Sequence, residues 1–315
     1  MIQCVIPDDY QYATRGFDFL NTNAHIQTHA LGDLSKDPEA DRVLASADVL
    51  LLIRERTVID EAFLARTPKL KLISQTGKIS RNIDLSACEK RGITVVEGFG
   101  DPIAPAEWAW LLIMAARRHF VAAVNGMAQG HWQSNIGQSM ASQTLGILGF
   151  GKTGKQILRY ATAFDMKVQI WGSERAQAEA KALGIAVPAS REQFFATSDI
   201  VTVHQRLVPE TEGNISFQDL SAMHSDAVFC NTSRAELVEQ DALVRALTGG
   251  KPGWAAIDVY DQEPIYDVHH PLLSLPNVLC SPHMGYVETN SFNLYLNTAF
   301  DNILSFYRLA ADAKK

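Results

Sequence analysis

The stretch Leu145–Gly154, LGILGFGKTG, decides the fold of this chain. A short apolar run leads into glycines at positions 149, 151 and 154, in the order G-x-G-x-x-G. This pattern predicts a buried strand, a tight turn and the start of a helix. Gly149 permits the sharp turn, Gly151 leaves room for a pyrophosphate against bare backbone, and Gly154 lets helix and strand pack closely. The free N–H groups and positive dipole end of such a helix bind phosphates.

The residues that follow the glycines complete a strand–helix–strand pattern. Lys155–Phe164 has apolar residues at helical spacing, and Lys167–Trp171 is typical of a second strand. A glycine-rich turn also occurs as a plain tight loop, so the glycines alone are a weak signal. With a helix and a strand in the expected places, the pattern favours a dinucleotide-binding unit.

Composition limits the classes of partner. The chain has 315 residues, a hydrophobic content of 47% and a formal net charge of −7, which is enough for two domains with a large core. The acidic balance argues against a nucleic-acid-binding surface and against an anionic membrane partner. An anionic small molecule stays open, because it needs only a local positive site. We therefore expect a small-molecule substrate, no nucleic acid and no membrane.

The cysteines and the start of the chain indicate the compartment. Cys4, Cys88, Cys230 and Cys280 are far apart and form no C-x-x-C pair, so we expect small buried side chains rather than disulfides or metal ligands. No signal-peptide pattern opens the sequence, and no apolar run reaches membrane-spanning length. These observations predict a cytoplasmic protein with no metal site.

Strand and helix signals alternate through residues 1–101, which predicts a parallel sheet with both faces covered. The predicted strands are Ile2–Ile6, Val49–Ile53, Leu70–Ser74 and Ile93–Val96, and the predicted helices are Pro38–Ala47, Glu61–Arg66 and Ile83–Arg91. Two prolines and two glycines in Gly98–Pro105 indicate a linker. A strong helix, Ala106–Phe120, follows it, and residues 121–143 are predicted to be irregular.

Residues 145–283 carry about six strand signals, as expected of a doubly wound sheet. After the two strands around the glycines, the predicted strands are Ile200–His204, Ala227–Asn231, Ala255–Val259 and Val278–Cys280. The predicted helices between them are Ala176–Leu183, Arg191–Thr197, Phe217–Met223 and Glu239–Leu247. A last amphipathic helix is predicted over residues 288–310.

Charged side chains follow three successive predicted strands. Arg234 comes after the strand at 227–231, Glu263 after the next, and His283 after the last. Because the carboxyl ends of parallel strands share one edge of a sheet, these side chains and the glycine turn should meet there. Each has an ordinary alternative: a surface salt bridge for Arg234, a solvated loop charge for Glu263, and a capped loop histidine for His283.

The three side chains suit one reaction. An arginine holds a carboxylate with two parallel hydrogen bonds and polarises a neighbouring carbonyl oxygen. A histidine gives or takes a proton near neutral pH, and a carboxylate beside it fixes its orientation and favours the imidazolium. Arg234, Glu263 and His283 therefore fit the reduction of a 2-oxo acid by a nicotinamide hydride donor.

The sequence resembles the D-isomer-specific 2-hydroxyacid dehydrogenase family, which includes phosphoglycerate, glycerate, glyoxylate and formate-type enzymes. The resemblance runs from about Val49 to Gly285 and rests on four motifs, LGILGFGKTG, NTSRAELV, DVYDQEP and SPHMGY. It implies that Arg234 binds and polarises the oxo acid. It also implies that His283 is the general acid and base and that Glu263 pairs with it.

The same resemblance implies a fold and an assembly. The fold is α/β, with two doubly wound parallel-sheet domains. A flavodoxin-like substrate domain would span residues 1–101 plus 289–315, and a Rossmann dinucleotide-binding domain would span residues 102–288. The family usually forms a homodimer through the helix at 106–120 and the loop after it, which gives Trp132 a partner surface. The implied activity is reversible, NAD(P)-dependent reduction of a 2-oxo acid to a D-2-hydroxy acid.

The resemblance also assigns residues to the coenzyme. Asp258 would hydrogen-bond the nicotinamide carboxamide, and His204 would line the adenine side. Asn231 and Thr232 would pass near the nicotinamide ribose. The full set expected at the coenzyme is Gly149, Phe150, Gly151, Lys152, Thr153, Gly154, Ser173, Glu174, Arg175, His204, Asn231, Thr232, Asp258 and Gly285.

Two segments before residue 101 resemble the family's substrate contacts. Arg54, in LLIRERT, would face the far end of the substrate; the alternative is an arginine that caps its strand. QTGKISRNIDL resembles the loop whose backbone amides take the substrate carboxylate, so Gly77 and Lys78 are candidate substrate contacts. Ile79 and Ala235 stand where the family usually has glycine. The change at Ile79 points to an altered loop geometry or a different substrate.

The choice between NAD and NADP rests on the end of the second strand around the glycines. An NAD site has an acid there, on the ribose hydroxyls, and this chain has Gly172. Ser173 and Arg175 can hold a 2′-phosphate, whereas Glu174 can reach the hydroxyls and repel that phosphate. The sequence slightly favours NADP and leaves NAD open.

Two other functions fit the same scaffold. A non-enzymatic dinucleotide sensor would close on its coenzyme and be recognised by a partner protein. The intact Arg234, Glu263 and His283 favour an enzyme over that alternative. Oxidation of formate or phosphite has no distinct support in the sequence.

Overall fold

The computed structural model describes residues 1–309, which divide into two units. One consists of Met1–Asp101 and the chain from Thr289 onward, and the other of Pro102–Glu288. Each unit contains one sheet whose neighbouring strands are parallel. The predicted fold class, α/β with two parallel-sheet domains, is therefore confirmed.

The sheet of the first unit has five strands in the order β2-β1-β3-β4-β5. The strands are β1 (Ile2–Ile6), β2 (Ile26–Ala30), β3 (Val49–Leu52), β4 (Leu72–Gln75) and β5 (Thr94–Glu97), and the helices are α1 (Ala40–Leu44), α2 (Glu61–Ala65), α3 (Leu85–Lys90) and α11 (Thr289–Tyr307). Every residue of β3 and β4 is buried. This is the flavodoxin-like strand order, and it reverses direction between β1 and β3.

The sheet of the second unit has six strands in the order β11-β10-β9-β8-β6-β7. The strands are β6 (Thr144–Leu148), β7 (Lys167–Trp171), β8 (Ile200–Val203), β9 (Val228–Asn231), β10 (Trp254–Ile257) and β11 (Val278–Cys280). The helices are α4 (Ile103–Arg117), α5 (Phe120–Ala128), α6 (Lys152–Ala163), α7 (Glu174–Ala182), α8 (Arg191–Thr197), α9 (Phe217–Ala222) and α10 (Ala242–Thr248). A parallel bridge between Gln169 and Ala186 adds a short segment beyond β7. The order reverses between β6 and β8, which places a ligand-binding crevice at their carboxyl ends.

The core of the second unit lies on both faces of its sheet. Val228 and Cys230 of β9 belong to an apolar cluster with α4 and α6, whereas Phe229 between them belongs to a cluster with α8, α9 and α10. Alternate residues of a strand point to opposite faces, so helices cover the sheet on both sides. This double cover explains why the strands of this unit are nearly continuous apolar runs.

Three features differ from the sequence predictions. Strand β2 was not predicted, because it contains only one buried residue, Ile26, and has a weak apolar pattern. Helix α5 lies in the segment predicted to be irregular, since the alanine-rich FVAAVNGMA forms a helix despite Gly126. The predicted linker is shorter, because α4 begins at Ile103. Pro105 is tolerated in its first turn, where no helical N–H is needed.

Two further observations concern the cysteine thiols and the lengths of the helices. The four cysteines carry free thiols; three are buried and Cys280 is half-buried. Within residues 1–309, no helix combines the length and the apolar character needed to span a membrane.

Candidate active site

The glycine turn joins β6 to α6 at the carboxyl edge of the second unit's sheet. Gly149 has a φ of 97°, and a Cβ at this position would lie 2.6 Å from the carbonyl oxygen of His204. A Cβ at Gly154 would lie 2.5 Å from the carbonyl oxygen of Gly149. Backbone contact therefore requires both glycines. At Gly151 a Cβ would meet no heavy atom within 4 Å outside its chain neighbours, so open space suited to a pyrophosphate lies at the start of α6.

The other predicted residues of this turn differ in exposure. The side chain of Phe150 is only 4% exposed and packs in the core, so only its backbone is available to a ligand. Lys152 is exposed and Thr153 is half-buried, and both lie in the first turn of α6. The N–H groups of a first helical turn have no partner within the helix, so this turn can donate to phosphate oxygens.

The end of β7 lies beside the glycine turn. A Cβ at Gly172 would be 3.6 Å from Cα of Gly149. Ser173 caps α7, with its Oγ accepting a hydrogen bond from the N–H of Ala176 at 3.3 Å. Ser173, Glu174 and Arg175 are all exposed. The residues predicted to choose between NAD and NADP therefore lie on the surface next to the glycine turn.

His204 follows β8 on the other side of the crevice. Its backbone N–H donates to the carbonyl oxygen of Leu148 at 2.8 Å, and its ring Nε2 lies 2.9 Å from Oγ1 of Thr202. Burial lowers the pKa of His204 to about 4, so its imidazole is neutral near pH 7. The ring is half-buried.

Asn231 shapes the turn that carries Arg234. Its Nδ2 donates to the carbonyl oxygen of Arg234 at 2.8 Å, and its Oδ1 accepts from the N–H of Ser233 at 3.0 Å. Oγ of Ser233 donates to the carbonyl oxygen of Val203 at 2.7 Å, which ties the turn to β8. Asn231 is buried, and Thr232 and Arg234 are half-buried. The turn therefore holds the guanidinium at the carboxyl end of β9.

His283 and Glu263 are in direct contact. Nδ1 of His283 lies 2.5 Å from Oε2 of Glu263, and Oε1 of Glu263 accepts from the N–H of Tyr260 at 2.9 Å. The imidazole also meets the ring of Tyr286 edge-on, with the centroids 5.4 Å apart. The side chains of His283 and Glu263 are 26% and 32% exposed. With Nδ1 bound to the carboxylate, Nε2 is the nitrogen left to exchange a proton with a ligand.

Asp258, predicted to bind the nicotinamide carboxamide, is a buried side chain with several donors around it. Its side chain is 0% exposed, and its Oδ1 accepts from Nε1 of Trp108 (3.1 Å), Oγ of Ser281 (2.6 Å) and the N–H of Met284 (2.9 Å). Oδ2 accepts from the N–H of Gly285 at 2.9 Å. Burial raises the pKa of Asp258, although these hydrogen bonds oppose the increase. The carboxylate therefore holds α4 to the loop of His283, here called the histidine loop (281–285), and its bond to the nicotinamide carboxamide stays a prediction.

The first unit contains the three predicted substrate contacts. The guanidinium of Arg54 lies against Gly77, where a Cβ would be 2.0 Å from its Nη1, and its Cζ is 5.6 Å from the ring centre of Tyr295. Lys78 is exposed and forms an ion pair with Glu97. Ile79 is not among the described non-glycine residues with positive φ, so the loop does not need the glycine that the family usually has there.

Known proteins identify the family. Residues 110–285 match the model of the D-isomer specific 2-hydroxyacid dehydrogenase NAD-binding domain. A glyoxylate reductase of Korarchaeum cryptofilum is 33% identical over 297 residues, which cover 90% of this chain and 88% of that protein. The chain belongs to the D-isomer specific 2-hydroxyacid dehydrogenase family. It is therefore an oxidoreductase that depends on NAD(P).

Two further relatives of this dehydrogenase are informative. The structure of a phosphoglycerate oxidoreductase from Vibrio cholerae O395 is 44% identical, with a TM-score of 0.93, and covers 98% of this chain and 99% of that one. A D-3-phosphoglycerate dehydrogenase of Methanocaldococcus jannaschii is 31% identical over 255 residues, which cover 80% of this chain. The dehydrogenase described here spans 48% of that protein's length.

Sequence reasoning missed several polar residues that shape the site. Trp108 and Ser281 donate to Asp258, and the buried Gln75 and Asn82 lie beneath the Gly77 loop. Gln75 gave one signal, because it is a large polar residue at the end of a strand that begins with the apolar Leu72 and Ile73. Among residues 1–309 no three His, Cys, Asp or Glu side chains are placed to share a metal ion.

Proposed function

We propose that this dehydrogenase interconverts a 2-oxo acid and a D-2-hydroxy acid, with His283 as the acid and base. The observation that carries the proposal is the 2.5 Å contact between Nδ1 of His283 and Oε2 of Glu263. The pair follows β10 and β11, at the same sheet edge as the glycine turn after β6. Arg234 follows β9 at that edge.

Each of the three side chains has one task in reduction. Nε2 of His283 gives its proton to the C2 oxygen, and Glu263 orients the ring through its bond to Nδ1. Arg234 holds the substrate carboxylate and polarises the carbonyl group. The chemistry that a bound nicotinamide supplies is one hydride to C2, so hydride and proton together turn C=O into CH–OH. In oxidation His283 takes the hydroxyl proton.

We propose that the two units divide the ligands. Residues 102–288 bind the dinucleotide, through the open space at Gly151 and the first turn of α6. Residues 1–101 plus 289–315 bind the substrate, through Arg54, Gly77 and Lys78. The cations of Arg54 and Lys78 favour an anionic substrate. The names of the relatives suggest glyoxylate and phosphorylated three-carbon acids as first candidates.

The proposed coenzyme is NADP, with NAD as the second candidate. Ser173 and Arg175 are exposed beside Gly172, where they can bind a 2′-phosphate. The lack of an acid at Gly172 removes the side chain that selects NAD in this type of site. Glu174 opposes the phosphate, which makes the expected preference small.

We propose a homodimer through α5 and the loop after it. Phe120, Val124 and Met127 of α5 are 59%, 51% and 67% exposed. In the loop that follows, Trp132 is 76% exposed and Ile136 is 92% exposed. So many large apolar side chains in one segment favour a protein partner over water. Light scattering of the purified protein tests the dimer.

One titration tests the activity. Purified protein is titrated with NADPH and NADH, coenzyme fluorescence is followed, and glyoxylate, pyruvate and 3-phosphohydroxypyruvate are then added in turn. Oxidation of the coenzyme on one or two acids supports the proposal. Coenzyme binding with no turnover on any 2-oxo acid contradicts it and favours the dinucleotide-sensor alternative.

A further inference from the structure

Gln75 is a buried polar side chain for which the proposed mechanism has no use. It is the last residue of β4 and is 0% exposed. Its Nε2 donates to the carbonyl oxygen of Lys78 at 2.6 Å. Lys78 lies in the loop 77–79, which is here called the anion loop. Gln75 therefore reaches from the sheet to the backbone of a loop that carries two proposed substrate contacts.

Asn82 fixes the orientation of the Gln75 amide. Nδ2 of Asn82 donates to Oε1 of Gln75 at 2.8 Å and to the carbonyl oxygen of Thr57 at 3.1 Å. Because Oε1 accepts from Asn82, Nε2 must be the atom that faces Lys78. Asn82 is itself buried, with 8% exposure. The two amides thus form a short chain of hydrogen bonds from the segment after β3 to the anion loop.

The hydrogen bond from Gln75 to the Lys78 carbonyl group determines the direction of the Ile79 N–H. In a trans peptide the C=O and N–H bonds point in opposite directions. Because the Lys78 carbonyl points to Gln75, the N–H of Ile79 points away from it. That N–H meets Oε2 of Glu97 at 3.3 Å, and the Lys78 ammonium pairs with the same carboxylate. The loop therefore presents an N–H and a cation together to a carboxylate.

We propose that Gln75 is a positioning residue that aims the anion loop at the substrate carboxylate. Gln75 does not touch the substrate; it acts by holding the Lys78 carbonyl, so that the Ile79 N–H stays on the side of the loop that binds the Glu97 carboxylate, whose place the substrate carboxylate would take. This inference rests on the proposed function, because it assumes that the loop binds an acid. It explains how the loop keeps its geometry with Ile79 in place of a glycine.

A matched pair of substitutions tests the inference. Gln75→Met keeps the length of the side chain and removes its donor. Gln169→Met is the control, because Gln169 is also buried and its Nε2 donates to the carbonyl oxygen of Phe194 at 3.0 Å, away from the anion loop. We expect Gln75→Met to raise KM for the oxo acid by about tenfold, the size of one lost hydrogen bond. Its kcat and its coenzyme Kd should stay within about twofold, and the control should leave KM unchanged.

The KM–kcat split separates positioning from a purely structural role. An unchanged KM in Gln75→Met, or an equal rise in both variants, would overturn the inference. If Gln75→Met does not fold, Gln75→Leu replaces it, because leucine is uncharged and also lacks the donor to Lys78, while Nδ2 of Asn82 keeps its bond to the carbonyl oxygen of Thr57.

Hydrogen exchange of the peptide covering residues 77–82 gives a readout that needs no turnover. We expect faster exchange in Gln75→Met than in the wild type or in Gln169→Met. A wild-type protein without turnover would contradict the proposed function, and the exchange rates would still decide whether Gln75 holds the loop. Identical exchange in the three proteins would overturn the inference.

Discussion

The two units hold their functional loops by different means. In the second unit the glycine turn rests backbone against backbone, as Gly149 does on the carbonyl group of His204. In the first unit side chains hold the anion loop: Gln75 binds the Lys78 carbonyl, and Oγ1 of Thr76 accepts from the N–H of Arg54 at 2.8 Å. A backbone contact demands glycine and leaves a motif in the sequence. A side-chain contact can be made by many residue types, so it leaves no recognisable motif in the sequence.

The largest effect is expected at His283, the proposed acid and base of the second unit. His283→Gln should lower kcat by about 10²- to 10⁴-fold, because it removes the proton donor. Coenzyme affinity should not change, since the proposed coenzyme site is the glycine turn and not His283. Steady-state kinetics and a fluorescence titration measure the two quantities. Glu263→Gln should lower kcat less, because it keeps a side chain at Nδ1 that can orient the ring. Full activity of His283→Gln would contradict the proposed mechanism.

Two glycine substitutions compare the backbone contact of the second unit with the side-chain contact of the first unit. Gly149→Ala places a Cβ against backbone at positive φ, and we expect a loss of about 2–4 kcal/mol in the free energy of unfolding. Gly77→Ala brings a Cβ to 2.0 Å from Nη1 and 3.3 Å from Cδ of Arg54. Because this flexible side chain can move, the loss should stay below about 1 kcal/mol. Urea unfolding gives both values. Equal losses would show that the contrast between the units is wrong.

Asp258→Asn tests a side chain of the second unit that holds a loop by hydrogen bonds, as Gln75 does in the first unit. The amide has a single acceptor oxygen, so either the N–H of Gly285 or the donors at Oδ1 lose their partner. We expect the free energy of unfolding to fall by about 1–3 kcal/mol and kcat to fall by about tenfold as the histidine loop loosens. Calorimetry and kinetics on the same preparation check both effects. Normal kcat would mean that the histidine loop does not depend on Asp258.

The last prediction concerns the response of the second unit to acid, which leaves the protein unchanged near neutral pH. The pKa of His204 is about 4 in the folded protein, against its ordinary value of about 6.5 in an unfolded chain. As the pH falls from about 6.5 to 4, the unfolded chain takes up a proton that the folded protein does not, so stability is lost, by at most about 3 kcal/mol. His204→Asn should flatten the fall. Urea unfolding of both proteins across this range measures it, and parallel curves would contradict it.

Apolar patterns predicted most of the fold. Long buried runs such as VLLL at Val49–Leu52 and the glycine turn gave strands at their correct places. Strand β2 could not be predicted, because an edge strand buries one residue and its pairing with β1 depends on the rest of the sheet. Helix α5 was missed because its local signal was misleading. Gly126 predicts a break, but the helix propensity of the other residues is stronger.

The candidate site was predictable as far as it follows strand ends. The contact between His283 and Glu263 joins residues 20 positions apart, and their order after successive strands already brought them to one edge. The burial of Asp258 was not predictable, because its donor Trp108 lies 150 positions away on α4. The same holds for Gln75 and Asn82, since nothing in the local sequence shows that two amides share a hydrogen bond.

The exposed residues after β7 have a consequence for protein engineering. Glu174 and Arg175 lie on the surface at the start of α7, so they can be exchanged without disturbing the core. Ser173 must remain a helix cap, and aspartate is as good a cap as serine. A Ser173→Asp change would therefore keep α7 intact while it supplies an acid for ribose hydroxyls. If Ser173, Glu174 and Arg175 select the coenzyme as proposed, the preference can be changed at the surface without altering the proposed catalytic residues.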